Sequence, residues 1–457
     1  MGRRIYIGDC RGYGMTTTAI EGGWVITGDP DEPWIEGGHV TVVDGLIESV
    51  GRGSAQGRAD RTIDAGGMLV SPGFVNGHTH LCMSLGRSLG TDASLLEWLS
   101  DAQLPLMATF EPEDYELAVM LGALENLKAG NTTVCEVFFS NRLGDGADAL
   151  AASAMDRMGL RSMLFRCSND LPFAPGFVEG LDDIDRRSRA LLKSWARSDR
   201  TGIGVGPLVP WSATRDYWDH TRELVAGGVR AHLHTAETPE YNDLVRAQTG
   251  LSNVGLLAEV GVLGPATMLN HCIHLSDADI ALIAEHGAPV VHDPTSNMML
   301  ASGIAPVLAL RAAGVTVGLA CDGPACNNTQ DMFEVMKNAS LLQKVHTRDS
   351  RALTALDVFT MATTGGATAA GLASTTGRLA PGYAADIILV DTAAPHLRPL
   401  HNPLAALVYS ARAADVHTVL VGGNVVLERR RVPGFDEAAF LARVQERSLQ
   451  LRAASGI

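Results

Sequence analysis

The sequence predicts an α/β protein, a (β/α)8 TIM barrel accompanied by a small β-sandwich domain built from both chain ends. Eight apolar strand candidates alternate with amphipathic helical stretches through the middle of the chain. Shorter β-like runs, broken by Gly, Asp and Pro, occupy both ends. The chain has 457 residues, too many for one small core and ample for a barrel with an accessory piece.

The two ends share the texture of short strands joined by tight turns. At the start we expect strands near 24–27, 39–43 and 46–50, and near the end at 385–391 and 416–427. We therefore assign residues 1–14 to a polar tail and residues 15–70 plus 378–434 to one β-sandwich domain. Residues 71–377 form the predicted catalytic barrel, and residues 435–457 form a C-terminal helix.

The barrel prediction rests on eight strand candidates in order. They span 68–80, 132–139, 161–167, 203–210, 230–237, 267–275, 289–297 and 315–325. Amphipathic helical stretches follow several of them, at 112–129, 215–226, 277–286 and 330–345. In such barrels the chemistry collects at the carboxyl ends of the strands, so polar residues there are the first candidates for a site.

Composition restricts the class of partner. A net charge of −15 and a pI near 5.4 argue against binding to nucleic acid or an anionic membrane surface. We expect a small-molecule or modified-peptide substrate, no membrane span and no secretory signal. Seven cysteines without a Cys-x-x-Cys pair are typical of reduced thiols in the cytoplasm.

A metal site is indicated by two histidines separated by one residue. Side chains two positions apart on a strand share a face, so His78 and His80 can offer two imidazoles to one cation. His234 and Asp322 follow at the ends of the fifth and eighth predicted strands. Three imidazoles and one carboxylate suit one divalent ion, with Zn²⁺ preferred and Fe²⁺ or Mn²⁺ as alternatives.

Three residues at the same strand ends are candidates for catalysis. Glu237 lies three residues after His234 and would carry protons from the attacking water to a departing nitrogen. His271 would hold that water or polarise the electrophile, and Asp322 would orient the water as well as bind the ion. His232 and His274 are more simply interpreted as a packed core histidine and a structural one.

These residues stand in longer stretches that resemble the amidohydrolase superfamily. Within it, the chain is similar to the branch of S-adenosylhomocysteine and methylthioadenosine deaminases, melamine deaminase and the triazine chlorohydrolases. The stretches are PGFVNGHTH at 72–80, HTAE at 234–237, NHCIHL at 270–275, VHDPTSN at 291–297, GIAP at 303–306 and DGPACNN at 322–328. The resemblance implies a single metal ion, because 204–210 contains no lysine to bridge two, and it implies a homodimer or homotetramer.

The same resemblance suggests substrate-side residues and a departure from nucleoside deaminases. Trp98 and Arg166 have counterparts there, but the carboxylate that binds ribose falls at Met107 and a substrate-side histidine falls at Leu208. Neither side chain can hydrogen-bond a sugar, so an adenosine-type substrate is less expected. An apolar mouth that includes Phe138 and Phe139 is expected instead. The predicted substrate-binding set is Trp98, Met107, Arg166, Leu208, Trp211 and Asn297.

The leading hypothesis is therefore a metal-dependent hydrolase that deaminates an amino-heteroaromatic small molecule. The alternative is cleavage of an amide or amidine bond in a larger, partly apolar substrate such as a modified peptide or secondary metabolite. Dechlorination is disfavoured because it needs no proton donor to nitrogen, and a scaffold role is disfavoured by the candidate proton shuttle at Glu237.

Overall fold

Two β-sheets organise the protein in the computed structural model, which describes residues 16–141, 146–174 and 176–457. The predicted polar tail at 1–14 lies outside these residues. One sheet is wholly parallel and comes from the middle of the chain, and the other is mixed and comes from both ends. The predicted fold class is confirmed.

The parallel sheet forms a barrel of eight strands within the described residues. Each strand pairs with the next along the chain. Helices separate most of the consecutive strands, as a parallel connection requires. The strands are β6 Phe74–Thr79, β7 Asn131–Phe138, β8 Arg161–Ser168, β9 Thr201–Pro207, β10 Arg230–Thr235, β11 Thr267–His271, β12 Val290–His292 and β13 Val317–Leu319.

Polar contacts join the first and last strands of the barrel. The Asp322 amide donates to the His78 carbonyl at 3.0 Å. Below it, the Asn76 side chain accepts from the Cys321 amide at 2.9 Å and donates to Gln330 Oε1 at 2.9 Å. These groups are fully buried, so their mutual hydrogen bonds satisfy donors and acceptors that would otherwise lack partners at the seam.

The mixed sheet follows the order β16-β15-β14-β5-β1-β2-β3, with β4 paired to β1. It curls so that the Ile47 amide donates to the Tyr383 carbonyl at 2.8 Å, and it encloses an apolar core of its own. The strands are β1 Thr17–Ile26, β2 Trp34–Val43, β3 Leu46–Arg52, β4 Arg61–Asp64, β5 Met68–Pro72, β14 Ile387–Asp391, β15 Val416–Val421 and β16 Asn424–Glu428.

Helices pack against the strands of the barrel. A π-helical turn, Leu99–Gln103, joins the helix Leu95–Trp98 to the helix Leu104–Met107. In chain order they are α1 Leu95–Trp98, α2 Leu104–Met107, α3 Pro112–Lys128, α4 Ala147–Arg157, α5 Leu181–Trp195, α6 Arg215–Ala226, α7 Pro239–Thr249, α8 Asn253–Glu259, α9 Asp277–His286, α10 Pro294–Met299, α11 Val307–Ala312, α12 Met332–Thr347, α13 Ala355–Thr360, α14 Gly366–Ala369, α15 Pro403–Tyr409 and α16 Glu437–Ser455.

The first predicted barrel strand is in fact two strands in different sheets. Residues of β5 pair with β1 and β14, whereas β6 begins after Gly73 and pairs with β7. Gly73 stands at the crossing, where a Cβ atom would lie only 2.1 Å from Thr132 Oγ1. The absence of a side chain therefore lets the chain pass close to β7 as it leaves one sheet for the other.

The last two barrel strands are shorter than predicted. β12 spans three residues and gives way at Pro294 to α10, so Asn297 lies on a helix and not on a strand. β13 also spans three residues, and the chain beyond it turns through Asp322 with a φ of +59°. Continuous apolar sequence was not enough to tell these short buried strands from the loops that follow them.

The predicted C-terminal helix corresponds to α16, whose first turn is capped by the Asp436 side chain at 3.1 Å from the Ala439 amide. Arg447 on this helix binds Asp114 of α3 through two hydrogen bonds, at 2.6 and 2.8 Å. Among the described residues, no helix is both long and apolar enough to cross a membrane.

Candidate metal centre and active site

The predicted metal-binding residues converge at one end of the barrel. His78 lies next to the end of β6, His80 follows that strand, His234 lies near the end of β10 and Asp322 follows β13. The nitrogen atoms of His78, His80 and His234 lie within 4.8 Å of one another, and the same limit holds for His78, His271 and Asp322. None of these residues is more than 7% exposed. The barrel thus gathers residues that are far apart in sequence.

The orientation of His80 and His234 shows that their inner nitrogens are free to bind a cation. His80 Nδ1 lies 2.9 Å from the Val137 carbonyl, and His234 Nδ1 lies 2.8 Å from the Leu208 carbonyl. A carbonyl only accepts, so each Nδ1 carries the hydrogen and each Nε2 has a bare lone pair. The two Nε2 atoms face each other at 3.1 Å. Two lone pairs at that distance repel unless a cation lies between them.

His78 is held from behind by a second histidine. Its Nδ1 lies 3.0 Å from His232 Nε2, and the two rings are stacked with 4.7 Å between centroids. Its Nε2 is fully buried without a hydrogen-bond partner among the described residues, and lies 3.3 Å from Asp322 Oδ1. A buried ring nitrogen without a partner is costly, and in the tautomer whose hydrogen lies on Nδ1, toward His232, the Nε2 of His78 can bind a metal ion. His232 is buried, as expected, and it also contacts the ring of His78, one of the predicted metal ligands.

Asp322 is oriented by neighbours on both of its oxygens. Oδ2 accepts from the Ser296 hydroxyl at 2.6 Å, and Oδ1 accepts from the Gly323 amide at 2.7 Å. Burial acts to raise its pKa, but contact with His78 and the fields of His271 and His80 outweigh burial and hold the pKa well below its usual range. Asp322 is therefore a carboxylate, the form that binds a metal.

The imidazoles of the cluster are neutral. Burial lowers the pKa of His78 to about 3 and lowers those of His80 and His271. For His234, burial followed by the fields of His78 and His80 holds the pKa well below its normal value. Three neutral imidazoles and one carboxylate are the donor set of a divalent ion such as zinc. The residues present therefore fit a metal ion.

Glu237 and His271 lie side by side next to the cluster. Glu237 Oε2 is 3.5 Å from His271 Nε2. His271 Nδ1 is 3.0 Å from Asn297 Oδ1, which fixes the hydrogen on Nδ1 and leaves Nε2 to accept on the side of Glu237. Burial, followed by the charge of Asp322, raises the pKa of Glu237 well above its normal range. A carboxyl group of raised pKa can both take and return a proton near neutral pH.

Backbone strain is concentrated at the same strand ends. His271 has a φ of +66°, Asp322 of +59° and Ala236 of +49°. These are left-handed conformations that residues other than glycine rarely adopt, and each costs roughly 1 kcal/mol or more. Burial and the hydrogen bonds described above hold His271 and Asp322 in these conformations, so that their side chains point into the site.

Glu136 supports the loop that carries His80, a contact that the sequence did not reveal. It is fully buried in β7 and accepts from the Leu81 amide at 2.6 Å and from the Cys82 amide at 3.0 Å. Its neighbour Val137 holds the His80 ring. A charged residue in an otherwise apolar strand could have indicated that Glu136 makes a buried polar contact. The sequence could not indicate that the contact is with the segment after His80.

A narrow cavity opens above the cluster. It reaches His80, His234, Glu237, His271 and Asp322, and its walls are mostly apolar. Of the predicted substrate-binding residues, Trp98 and Leu208 line it. Phe139 lines it as well. The walls also include Met83, Leu95, Leu99, Phe173, Tyr241 and Leu300.

The other four predicted substrate-binding residues lie behind or beside the cavity lining. Met107 is fully buried, with its carbonyl accepting from the Asn141 side chain at 2.6 Å. Arg166 is paired with Asp148 and Glu179, at 3.0 and 2.5 Å. Trp211 packs on Tyr241 and Asn297 holds His271, so both lie one contact away from the cavity. Direct substrate contact by these four stays a prediction.

A family model described as the amidohydrolase family matches residues 69–426, most of the chain. The chain belongs to the amidohydrolase family. Members of this family are hydrolases that use metal ions, in agreement with the donor set gathered here.

Curated amidohydrolase relatives match along almost the whole chain. A 5-methylthioadenosine/S-adenosylhomocysteine deaminase of Pelotomaculum thermopropionicum is 39% identical over 443 residues, which cover 96% of this chain and 99% of the relative. A 5′-deoxyadenosine deaminase of Methanothermobacter thermautotrophicus is 39% identical over 400 residues, which cover 87% of this chain and 91% of the relative. This amidohydrolase is therefore a hydrolytic enzyme acting on carbon–nitrogen bonds.

Solved structures agree with the fold. An adenosine deaminase from Xanthomonas campestris with bound zinc superposes with a TM-score of 0.90 at 30% identity, over 96% of this chain and 99% of that one. A triazine hydrolase from Arthrobacter aurescens superposes with a TM-score of 0.86 at 24% identity, over 95% of this chain and 99% of that one. The second likeness shows the shared fold alone.

Proposed function

We propose that this amidohydrolase deaminates an adenine-type small molecule, with Glu237 as the proton shuttle. The observation that carries the proposal is the Glu237–His271 pair, 3.5 Å apart at the floor of a mostly apolar cavity and beside a metal-binding cluster. The names of the relatives, deaminases of adenosine derivatives, support the substrate class.

We assign the metal ligands as His78, His80, His234 and Asp322, with one ion and zinc as its identity. The facing Nε2 atoms of His80 and His234 and the orphaned Nε2 of His78 support the assignment. A divalent ion in such a site lowers the pKa of water from about 15.7 to roughly 7 and so supplies a nucleophile at neutral pH.

The chain's own groups then account for the proton transfers. Glu237 Oε2 takes the proton of the attacking water and returns it to the nitrogen that leaves as ammonia. His271, with its hydrogen fixed on Nδ1 by Asn297, offers Nε2 as an acceptor to the same water. Asp322, held by Ser296, orients the nucleophile toward the ring carbon. Apolar walls keep bulk water away from the reacting atoms.

The cavity favours a flat aromatic ring with an apolar substituent. Trp98, Phe139 and Phe173 offer aromatic surface, and Leu95, Leu99 and Leu300 supply aliphatic surface. Leu208 lines the wall at the position where the resemblance suggested a histidine. The sequence alone made an adenosine-type substrate less expected, but the names of the relatives favour one, and we therefore propose a 5′-deoxy or 5′-thioether nucleoside over a more polar one.

The alternative, cleavage of an amide or amidine in a larger apolar substrate, draws on the same apolar wall. One panel separates the two. Purified, metal-replete enzyme is incubated with 5′-methylthioadenosine, 5′-deoxyadenosine, adenosine, adenine, melamine and N-acyl amino acids, and release of ammonia and of carboxylate is measured. Ammonia from the 5′-modified nucleosides supports deamination. Carboxylate release without ammonia would establish the alternative.

We also propose a cytoplasmic location. The six cysteines of the described residues are all buried free thiols, which suits a reducing compartment. Assembly into a homodimer or homotetramer stays a prediction, and sedimentation analysis would test it.

A further inference from the structure

The hydrogen-bonding groups of the cavity wall are few. Among the described residues that line it, apart from the cluster residues, Glu237 and His271, three side chains carry a polar hydrogen: Trp98, Tyr241 and Cys326. The Cys326 thiol donates to the Gly323 carbonyl at 3.1 Å and is therefore occupied. The Tyr241 hydroxyl makes no hydrogen bond to any residue that the structure describes, and it is still reached by solvent.

Tyr241 is held rigidly at this position. It lies in the first turn of α7, where the Tyr241 amide donates to the Thr238 side chain at 3.3 Å. Its ring packs edge-to-face on Trp211, with 4.0 Å between centroids, and the residue is only 2% exposed. The ring is therefore fixed by packing, while its hydroxyl is uncommitted.

The hydroxyl remains a donor at every working pH. Burial, followed by the charges of Glu237 and Asp322, raises the pKa of Tyr241 well above its normal value. The same two charges place Tyr241 in the electrostatic environment of the reacting groups. A neutral hydroxyl in the wall of the same cavity can donate to a ligand without competing for the metal ion.

We propose that Tyr241 is a specificity-determining residue whose hydroxyl donates a hydrogen bond to a ring nitrogen of the substrate. The inference rests on the proposed deaminase function and deepens it. The Tyr241 hydroxyl would select rings with a nitrogen at the recognised position over otherwise identical rings with a carbon there. When a ligand fills the cavity, a hydroxyl left without an acceptor is penalised, so rings that lack the acceptor bind more weakly.

The variant Y241F isolates this contact. It removes the hydroxyl and keeps the ring that packs on Trp211, and no internal hydrogen bond is lost, so the melting temperature and metal content should be unchanged. Y217F is the matched control. The Tyr217 hydroxyl bonds Ser168 Oγ at 2.7 Å and the Gly206 carbonyl at 2.9 Å, outside the cavity lining. Y217F should lower the melting temperature without changing ligand preference.

The test measures inhibition of 5′-deoxyadenosine deamination by 1-deaza-, 3-deaza- and 7-deazaadenosine, each lacking one ring nitrogen. The two analogues that keep the recognised ring nitrogen should bind Y241F about tenfold more weakly than they bind the wild type. The analogue that lacks this nitrogen cannot accept from Tyr241, so it should bind both enzymes equally, within about twofold. For 5′-deoxyadenosine, the KM of Y241F should rise more than its kcat falls.

Two results would overturn the inference: equal inhibition constants in both enzymes for all three analogues, or an equal loss for all three. The first would show that the hydroxyl touches no ligand, and the second that it recognises something other than a ring nitrogen. Failure of the proposed function is distinct, since the wild-type enzyme would then release no ammonia from 5′-deoxyadenosine, and the inference would fall with it.

Discussion

His80 Nε2 and His234 Nε2 face each other at 3.1 Å, with the hydrogen of each ring committed to a backbone carbonyl on the far side. The backbone at Val137 in β7 and at Leu208, directly after β9, thus sets which nitrogen of each ring carries the hydrogen. Main-chain geometry therefore orients two of the proposed metal ligands before any ion binds.

Metal removal should destabilise the protein, because it leaves these lone pairs opposed and His78 Nε2 without a partner. At ion concentrations near a thousandfold above Kd, the ion contributes about 4 kcal/mol to the free energy of unfolding. Thermal unfolding before and after chelator dialysis measures the loss, and added Zn²⁺ should restore it. Equal melting temperatures with no bound metal would contradict the assignment.

E237Q should lower kcat roughly 10²- to 10⁴-fold while leaving metal content unchanged, because Glu237 moves protons and is not among the assigned ligands. Steady-state ammonia release measures kcat, and elemental analysis measures the metal content. H234A is the contrasting variant and should lose both metal and activity. Full activity in E237Q would show that another group transfers the proton.

His232 should matter for metal affinity even though it is not an assigned ligand. Its Nε2 faces His78 Nδ1 at 3.0 Å, so H232F removes the group that orients a ligand ring. We expect metal affinity to fall about 10- to 100-fold, measured by competition with a chromophoric chelator. H292F is the matched control, since His292 is equally buried but has no hydrogen-bond partner among the described residues. Equal affinities in both variants would refute the role.

Glu136 should make stability depend on pH. Burial raises its pKa from 4.5 to about 7, so the folded protein favours the neutral acid. Its stabilising contribution is complete below pH 4.5 and is lost as the pH rises through 7. Relative to E136Q, the wild type should lose about 3 kcal/mol of unfolding free energy over this window. Urea denaturation of both proteins at pH 5 and pH 8 measures the difference. If the free energy of unfolding changed equally in the wild type and E136Q between these pH values, the predicted effect of Glu136 would be excluded.

Arg161 and Asp386 join the barrel to the mixed sheet through a buried ion pair, at 2.7 Å between Nε and Oδ2. D386N leaves the guanidinium without its charge partner and should cost about 3–5 kcal/mol in urea unfolding. The exposed pair Arg52–Glu32 provides the control, and E32Q should change stability by less than about 1 kcal/mol. A small effect of D386N would mean that water reaches Arg161.

The sequence by itself determined the class of fold, the His-x-His spacing of His78 and His80, and the placement of His234, Glu237, His271 and Asp322 at or near strand ends. These features follow from local patterns: strand alternation, apolar runs and the rule that parallel strands end at one edge. The domain limits and the roles of the site residues remain predictions.

Only the tertiary structure decided the break at Gly73, the contact of His232 with His78, the Ser296 bond to Asp322 and the place of Tyr241 in the cavity wall. Each depends on a partner from a distant segment or on the space available where two segments cross. Periodicity says which face of a strand is buried but not what it meets there, because the contact is set by how the strands pack around the closed barrel.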